Sequence, residues 1–234
     1  MEAVILASGK GTRLKELTKD LPKSMIEIKN KPILEHIINN LRENGVKNII
    51  LVVGYKAEKI VDYFSDGKKF GVKISYVKQE RLDAGTADAV NYAKKLVKGN
   101  KFLMIYGDVI FEKDLIKEIV KKSEESGLVL AAKEVQNPEN YGVLEIKDDR
   151  VIRIVEKSQN PPTNLANAGI YVLPKEIFNA IEQTKLSKRG EYEITDSIQI
   201  LIDNGFECKF LLVKGFWIDI GNKENLDFAK RHFE

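Results

Sequence analysis

A doubly wound α/β fold, built as a single domain on a mostly parallel, mixed sheet, is predicted by three observations. Short apolar runs of strand length alternate with amphipathic stretches of helix length through the first half of the chain. The first of these strands breaks into a glycine-rich turn, where ligands of such sheets bind. At 234 residues, with 43% hydrophobic and 31% charged residues, the chain is long enough for one substantial core and has the composition of a soluble globular protein.

The elements follow in order. Val4, Ile5, Leu6 and Ala7 are a continuous apolar run, as a strand covered on both faces should be. Ser8-Gly9-Lys10-Gly11-Thr12-Arg13 ends it. Lys31-Pro32 opens a helix whose Ile33, Leu34, Ile37, Ile38 and Leu41 share one face, and Gly45 closes it. A strand is predicted over 48–53, a helix near 57–64, a strand over 72–77 and a helix from Thr86 to Val97. The strand over 101–106 runs into Gly107-Asp108. Strand alternating with helix implies right-handed crossovers and a parallel sheet. Beyond Ser126 the rhythm changes to strands over 128–135, 142–147, 151–156 and 167–173, so a mixed or antiparallel region is expected. Helices follow over 175–183 and 194–204, then strands over 207–213 and 216–219 and a last helix after Gly221.

Composition excludes several function classes. The net charge is only +3 and its charges are interspersed, which argues against a dedicated nucleic-acid surface. The single cysteine, Cys208, excludes an intrachain disulfide and reads as a buried strand residue in a reducing compartment. No apolar run approaches about 18 residues and no signal-type leader precedes the first strand, so a soluble, cytoplasmic protein without membrane partners is expected.

The glycine turn carries the first functional signal. Two glycines let the backbone turn sharply and aim its N–H groups at phosphate oxygens, and Arg13 and Lys23 add positive charge. Neither common glycine loop fits. Leu14 stands where a dinucleotide fingerprint needs its third glycine, and the Lys-Ser/Thr of Walker A is absent. Taken alone, Gly-x-Gly is equally well a plain turn. Asp108 and Asp219 are isolated carboxylates at strand ends, read either as turn formers or as a pair able to hold Mg²⁺ beside phosphates. Gln79 reads either as a solvated surface amide or as a donor–acceptor pair for a base edge.

Gly-x-Gly-Thr-Arg-Leu with Pro22-Lys23 downstream resembles the signature of the sugar-1-phosphate nucleotidylyltransferases, which join a nucleoside triphosphate to a sugar 1-phosphate. The likeness continues in order through Gln79…Gly85-Thr86-Ala87, Gly107-Asp108, Tyr141-Gly142-Val143, Glu156-Lys157, Asn167-Ala168-Gly169, Glu191…Thr195-Asp196 and Trp217-Ile218-Asp219-Ile220-Gly221. It is nearest to the glucose-1-phosphate thymidylyl- and uridylyltransferases. The resemblance implies a Rossmann-like sheet of the nucleotide-diphospho-sugar transferase type, with 1–126 serving the nucleotide and 127–234 the sugar phosphate. It implies catalytic roles for Arg13 and Lys23 and nucleotide contacts from Leu6, Ala7, Ser8, Gly9, Gly11, Thr12, Gln79, Gly85 and Thr86. Gly142, Glu156, Lys157, Asn167 and Glu191 would hold the sugar phosphate, and Asp108 and Asp219 would hold Mg²⁺. The substrates implied are dTTP or UTP with glucose 1-phosphate, and a homo-oligomer is what the family suggests. Mannose- or heptose-phosphate guanylyltransferases, choline-phosphate cytidylyltransferases and a non-catalytic nucleotide-sugar-binding regulatory subunit are the alternatives. The Gly-Thr-Ala-Asp-Ala and Gly-Glu-Tyr-Glu-Ile-Thr-Asp segments favour a sugar over choline.

Overall fold

The computed structural model describes residues 1–233, the side chain of Lys15 excepted. Strand β1 (Glu2–Ala7) is followed by a 3-10 helix over Thr12–Thr18 and a second over Lys23–Met25. The hairpin β2 (Glu27–Ile28) and β3 (Lys31–Pro32) turns through Lys29 and Asn30, both at positive φ as a two-residue hairpin loop requires. It leads into α1 (Ile33–Glu43), β4 (Asn48–Val53), α2 (Ala57–Phe64), β5 (Lys73–Lys78), α3 (Thr86–Tyr92) and β6 (Lys101–Tyr106). Next come β7 (Val109–Phe111), α4 (Asp114–Lys122), β8 (Leu128–Glu134), β9 (Gly142–Lys147), β10 (Arg150–Glu156) and β11 (Leu165–Pro174). The chain finishes with α5 (Ile177–Gln183), α6 (Ile194–Asp203), β12 (Cys208–Leu212), β13 (Trp217–Asp219) and α7 (Lys223–His232).

Nine strands form one sheet in the order β5-β4-β1-β6-β11-β8-β12-β10-β9. The first four are parallel, and β11 enters antiparallel to β6, so the sheet is mixed as expected. From β1 the chain moves outward to β4 and β5, then crosses back to lay β6 on the other flank of β1. The carboxyl ends of β1 and β6 therefore bound a topological switch point, where a crevice must open because the connections leave in opposite directions. The Gly107 N–H donates to the Leu6 carbonyl at 2.9 Å and holds those ends together.

Alternation along the strands divides the core. Ala3, Ile5, Leu103 and Ile105 pack with the apolar faces of α1 and α4, while Val4, Phe102 and Met104 pack with α3, α5 and α6. Side chains of period two on a sheet covered on both sides produce two cores, one per face. In α1, Ile33, Leu34, Ile37, Ile38 and Leu41 are all at most 1% exposed, each worth about 1.5–3 kcal/mol of burial.

Two departures from the sequence reading have physical causes. The helix expected over Thr86–Val97 ends at Tyr92, and its tail continues as turns with Ala93→Val90 and Leu96→Ala93 backbone bonds. Ala89, Val90, Ala93 and Val97 stay buried throughout, so the apolar period outlasts the helix. The stretch between Gly107 and Ser126, which periodicity leaves unassigned, folds as β7 and α4. Strand β7 is only three residues long and pairs with β13 from the far end of the chain, a contact no local pattern records.

Candidate active site

A cavity of about 460 Å³ opens at the carboxyl ends of β1 and β6, and every candidate residue named from the sequence lines it. Its floor is the Ser8–Gly11 turn. Gly11 sits at φ +65°, and a Cβ there would stand 2.9 Å from the Cβ of Lys23 and from the Cγ2 of Thr18, so the turn is closed by a residue that only glycine supplies without strain. The Thr18 hydroxyl donates to the Gly11 carbonyl at 2.9 Å and fixes the exit of the turn. Arg13 is exposed at the start of the 3-10 helix, and its charge is felt at Lys23, Lys157 and Asp219. The two halves of the chain therefore share one electrostatic site.

The side of the cavity nearest β4 and β5 is closed by Gln79, which is only 2% exposed. The reading of Gln79 as a solvated surface amide is corrected by this burial. Its Oε1 accepts from Ser8 Oγ at 2.5 Å, and its Nε2 donates to Asp88 Oδ2 at 3.0 Å and to the Gly85 carbonyl at 3.3 Å. Gly85 has φ +97° and ψ −177°, a conformation essentially confined to glycine. A Cβ there would lie 2.5 Å from the Tyr192 carbonyl oxygen. Thr86 lines the cavity, but its hydroxyl accepts from the Ile194 N–H at 2.9 Å and joins this loop to the start of α6. Gly85→Ala is expected to lower stability by about 1–3 kcal/mol and to displace Gln79 with the loop. Chemical denaturation checks the first effect and nucleotide affinity the second.

Asp108 and Asp219 are brought together by the short β7–β13 ribbon. Asp219 is paired with Val109, and the Ile220 N–H donates to the Asp108 carbonyl at 2.9 Å. The Lys23 ammonium donates to Asp108 Oδ2 and stands 3.6 Å from Asp219 Oδ1. Burial alone would lower the Lys23 pKa, but the two carboxylates outweigh it and hold the pKa above its ordinary value. Burial, reinforced by the Asp108 charge, pushes Asp219 up to about 6 against the opposing charge of Lys23. Asp219 Oδ1 is buried without a hydrogen-bond partner, an orphaned carboxylate oxygen that faces the same ammonium as Asp108 Oδ2. Among the described residues no three His, Cys, Asp or Glu side chains gather as a closed metal cage. Two carboxylates, one of them with an orphaned oxygen, fit a cation such as Mg²⁺, which takes one or two protein carboxylates and completes its shell with phosphates and water.

The other half of the cavity is built on β9, β10 and β11. Gly142 is paired with Glu156, whose carboxylate occupies the space a Cβ at position 142 would need. Lys157 follows at φ +41°, which turns it out of the strand, and its N–H donates to the Tyr141 carbonyl at 3.1 Å. Burial and the neighbouring Arg189 lower the Lys157 pKa, and burial raises that of Glu156. Asn167 is fixed by its own bonds, donating to the Tyr171 hydroxyl at 2.5 Å and accepting from the Gly169 N–H at 3.1 Å. The Trp217 indole N–H donates to the Ala168 carbonyl at 2.9 Å and ties this strand to the acid-bearing ribbon.

Sequence reasoning missed several residues here. Arg189 reaches Glu156, Glu191 and Glu193 at 3.3 Å each and offsets part of their negative charge. Its position beside Gly190-Glu191 is the signal that could have found it. Tyr106 supplies aromatic wall, beside Tyr141 and Trp217, which the sequence places in motifs but does not assign to the cavity. They read as strand and turn residues because aromatics in such places are usually core.

Comparison with known proteins follows the same geometry. The sequence profile of the family described as nucleotidyl transferase matches residues 2–234. The bifunctional protein GlmU of Methanocaldococcus jannaschii is 48% identical over 233 residues, which are 99% of this chain and 54% of that protein. The chain thus spans about half the length of that relative. The UTP–glucose-1-phosphate uridylyltransferase AglF of Haloferax volcanii is 36% identical over 239 residues, covering 100% of this chain and 97% of AglF. Among solved structures, a UDP-glucose pyrophosphorylase in complex with UDP-glucose superposes with a TM-score of 0.89 at 25% identity, covering 99% of this chain and 97% of that one. No helix among the described residues is long and apolar enough to cross a membrane.

Proposed function

The chain belongs to the nucleotidyl transferase family, and from that premise we propose that it condenses UTP or dTTP with glucose 1-phosphate to an NDP-sugar and pyrophosphate. The observation that carries the reading is that glycine cradle, two cations, two acids and the Glu156-Lys157 pair line a single cavity. Residues 1–126 supply the nucleotide side and 127–234 the sugar-phosphate side, with Asp219 crossing over to join Asp108.

A sugar phosphate is already anionic at neutral pH, so its oxygen attacks the α-phosphorus without a general base. One P–O bond forms to the sugar phosphate, the bond to the β-phosphate oxygen breaks, and pyrophosphate leaves. The difficulty is charge repulsion and alignment, so the residues act by positioning and electrostatic stabilisation. The turn amides and Arg13 hold the triphosphate and the charge growing on the leaving group. Lys157 fixes the attacking phosphate and Glu156 the sugar hydroxyls. Lys23 spans the acceptor and α-phosphates, and for this it leaves the ion pairs it makes with Asp108 and Asp219. Mg²⁺ on Asp108 and Asp219, when bound, neutralises phosphate charge. Small charged substrates and a single buried cysteine support a cytoplasmic enzyme, and assembly as a homo-oligomer is the family's expectation.

The pKa of Asp219 gives a pH prediction. A carboxyl raised to about 6 is protonated in the folded state at pH values where the unfolded chain has released its proton. In metal-free protein this group therefore adds stability as pH falls through about 6 towards 4, while Mg²⁺ affinity weakens over the same range because the ligand is protonated. Melting temperatures with chelator and Mg²⁺ titrations between pH 5 and 7 check both signs, and Asp219→Asn should flatten them.

The functional test is pyrophosphate release from five NTPs crossed with glucose, galactose, mannose and 2-acetamidoglucose 1-phosphates. UTP or dTTP with glucose 1-phosphate is the expected productive pair. GTP with mannose 1-phosphate would select the guanylyltransferase reading. Nucleotide-sugar binding with no pyrophosphate from any pair would mark a regulatory subunit.

A further inference from the structure

Asp88 is 6% exposed, is not among the residues lining the cavity, and carries no role in the mechanism above. It belongs nonetheless to a continuous chain of polar contacts that ends at the nucleotide side. The Arg81 guanidinium donates to Asp88 Oδ1, Asp88 Oδ2 accepts from Gln79 Nε2 at 3.0 Å, and Gln79 Oε1 accepts from Ser8 Oγ at 2.5 Å. The charge of a buried carboxylate must be matched, and Arg81 matches it.

The chain has a direction fixed by chemistry. A carboxylate can only accept, so the Gln79 NH₂ group must face Asp88 and its oxygen must face Ser8. Both amide hydrogens are then committed, one to Asp88 and one to the Gly85 carbonyl. What Gln79 keeps for a ligand is the second lone pair of Oε1. The amide, which in isolation offers a donor and an acceptor, is reduced to an acceptor.

We propose that Asp88 is a positioning residue that locks Gln79 with its oxygen towards the nucleotide, so that the site selects bases carrying an imino N–H. Uracil and thymine at N3 and guanine at N1 present that donor. Cytosine N3 and adenine N1 present lone pairs instead, and an acceptor facing an acceptor leaves both unpaired, the arrangement from which polar sites gain their largest discrimination. The inference deepens the functional reading and rests on it for the location of the base, but its test is binding and does not need turnover.

The sharpest variant is Asp88→Asn. Arg81 would hold the new side-chain oxygen, leaving an NH₂ group facing Gln79 and turning the glutamine over, with its donors towards Ser8 and the cavity. Calorimetric titration of wild type and Asp88→Asn with UTP against CTP, and with GTP against ATP, reads the effect in pairs that differ in the imino N–H. Wild type should prefer UTP over CTP, or GTP over ATP if the site takes purines, by at least about tenfold. Asp88→Asn should collapse or reverse that ratio, and Asp88→Glu, which keeps the acceptor, should restore it. In turnover the change should sit in KM for the nucleotide, with KM for the sugar phosphate unmoved, whereas a merely structural defect would weaken all nucleotides alike. An unchanged ratio in Asp88→Asn, or an equal loss for both members of each pair, overturns the proposal. Should that variant fail to melt cooperatively, wild-type protein decides alone: equal affinity for the members of each pair, or no nucleotide binding, overturns it. Absence of pyrophosphate with selective binding intact would count against the functional reading and leave this one standing.

Discussion

Arg13→Ala is expected to lower turnover by about 100- to 1,000-fold, the scale of removing one preorganised donor from a charge that develops in the transition state. The residue is exposed. Its removal should leave the fold intact, with the melting temperature essentially that of wild type. Its charge nevertheless reaches Lys23, Lys157 and Asp219, so on the proposed reading the cation would face both phosphate groups beside the acids. Lysine should recover part of the loss by restoring charge without the planar fork that grips two phosphate oxygens at once. Rates from a continuous pyrophosphate assay, read beside thermal melts, check the effect. A folded Arg13→Ala protein with near-wild-type rates would remove Arg13 from the mechanism.

Asp108→Asn should have an effect of similar size by a different route. Neutralising one of two facing carboxylates halves the charge available to a divalent cation, and several kcal/mol of charge stabilisation correspond to about 10³-fold in rate. Lys23 loses the negative charge of its hydrogen-bonded partner but keeps Asp219 at 3.6 Å, so the variant should fold with a modestly lower melting temperature. The Mg²⁺ concentration for half-maximal rate should rise with the fall in rate, which separates loss of a ligand from loss of a structural ion pair. An unchanged Mg²⁺ dependence would assign Asp108 to structure alone.

Much of this site was legible from the chain because its parts are local. A glycine turn after an apolar run, a Gly-Asp at the end of another, and isolated acids at strand tips are patterns of a few residues, and the architecture sets such ends side by side. The strands over 48–53, 101–106 and 142–147 appear at their expected limits because apolar run and backbone state coincide there. What periodicity could not show was pairing at a distance. The β7–β13 ribbon, which makes Asp108 and Asp219 neighbours, is two three-residue strands from remote parts of the chain. The commitment of the Gln79 amide was equally hidden, because it depends on Ser8, Gly85 and Asp88 meeting across separate elements. Arg189 reads as one more surface charge until the fold places three acids around it.

On the proposed reading, the amino-terminal cradle and the two acids form one magnesium–triphosphate site. Calorimetric titration of UTP in the presence and absence of Mg²⁺ tests it most directly, using wild type, Arg13→Ala, Asp219→Asn and the double variant. One shared site predicts that Mg²⁺ tightens UTP binding in wild type, that either single change removes most of the tightening, and that the two losses are not additive. Mg²⁺-tightened binding that survives in Asp219→Asn, with losses that simply add in the double variant, would contradict it.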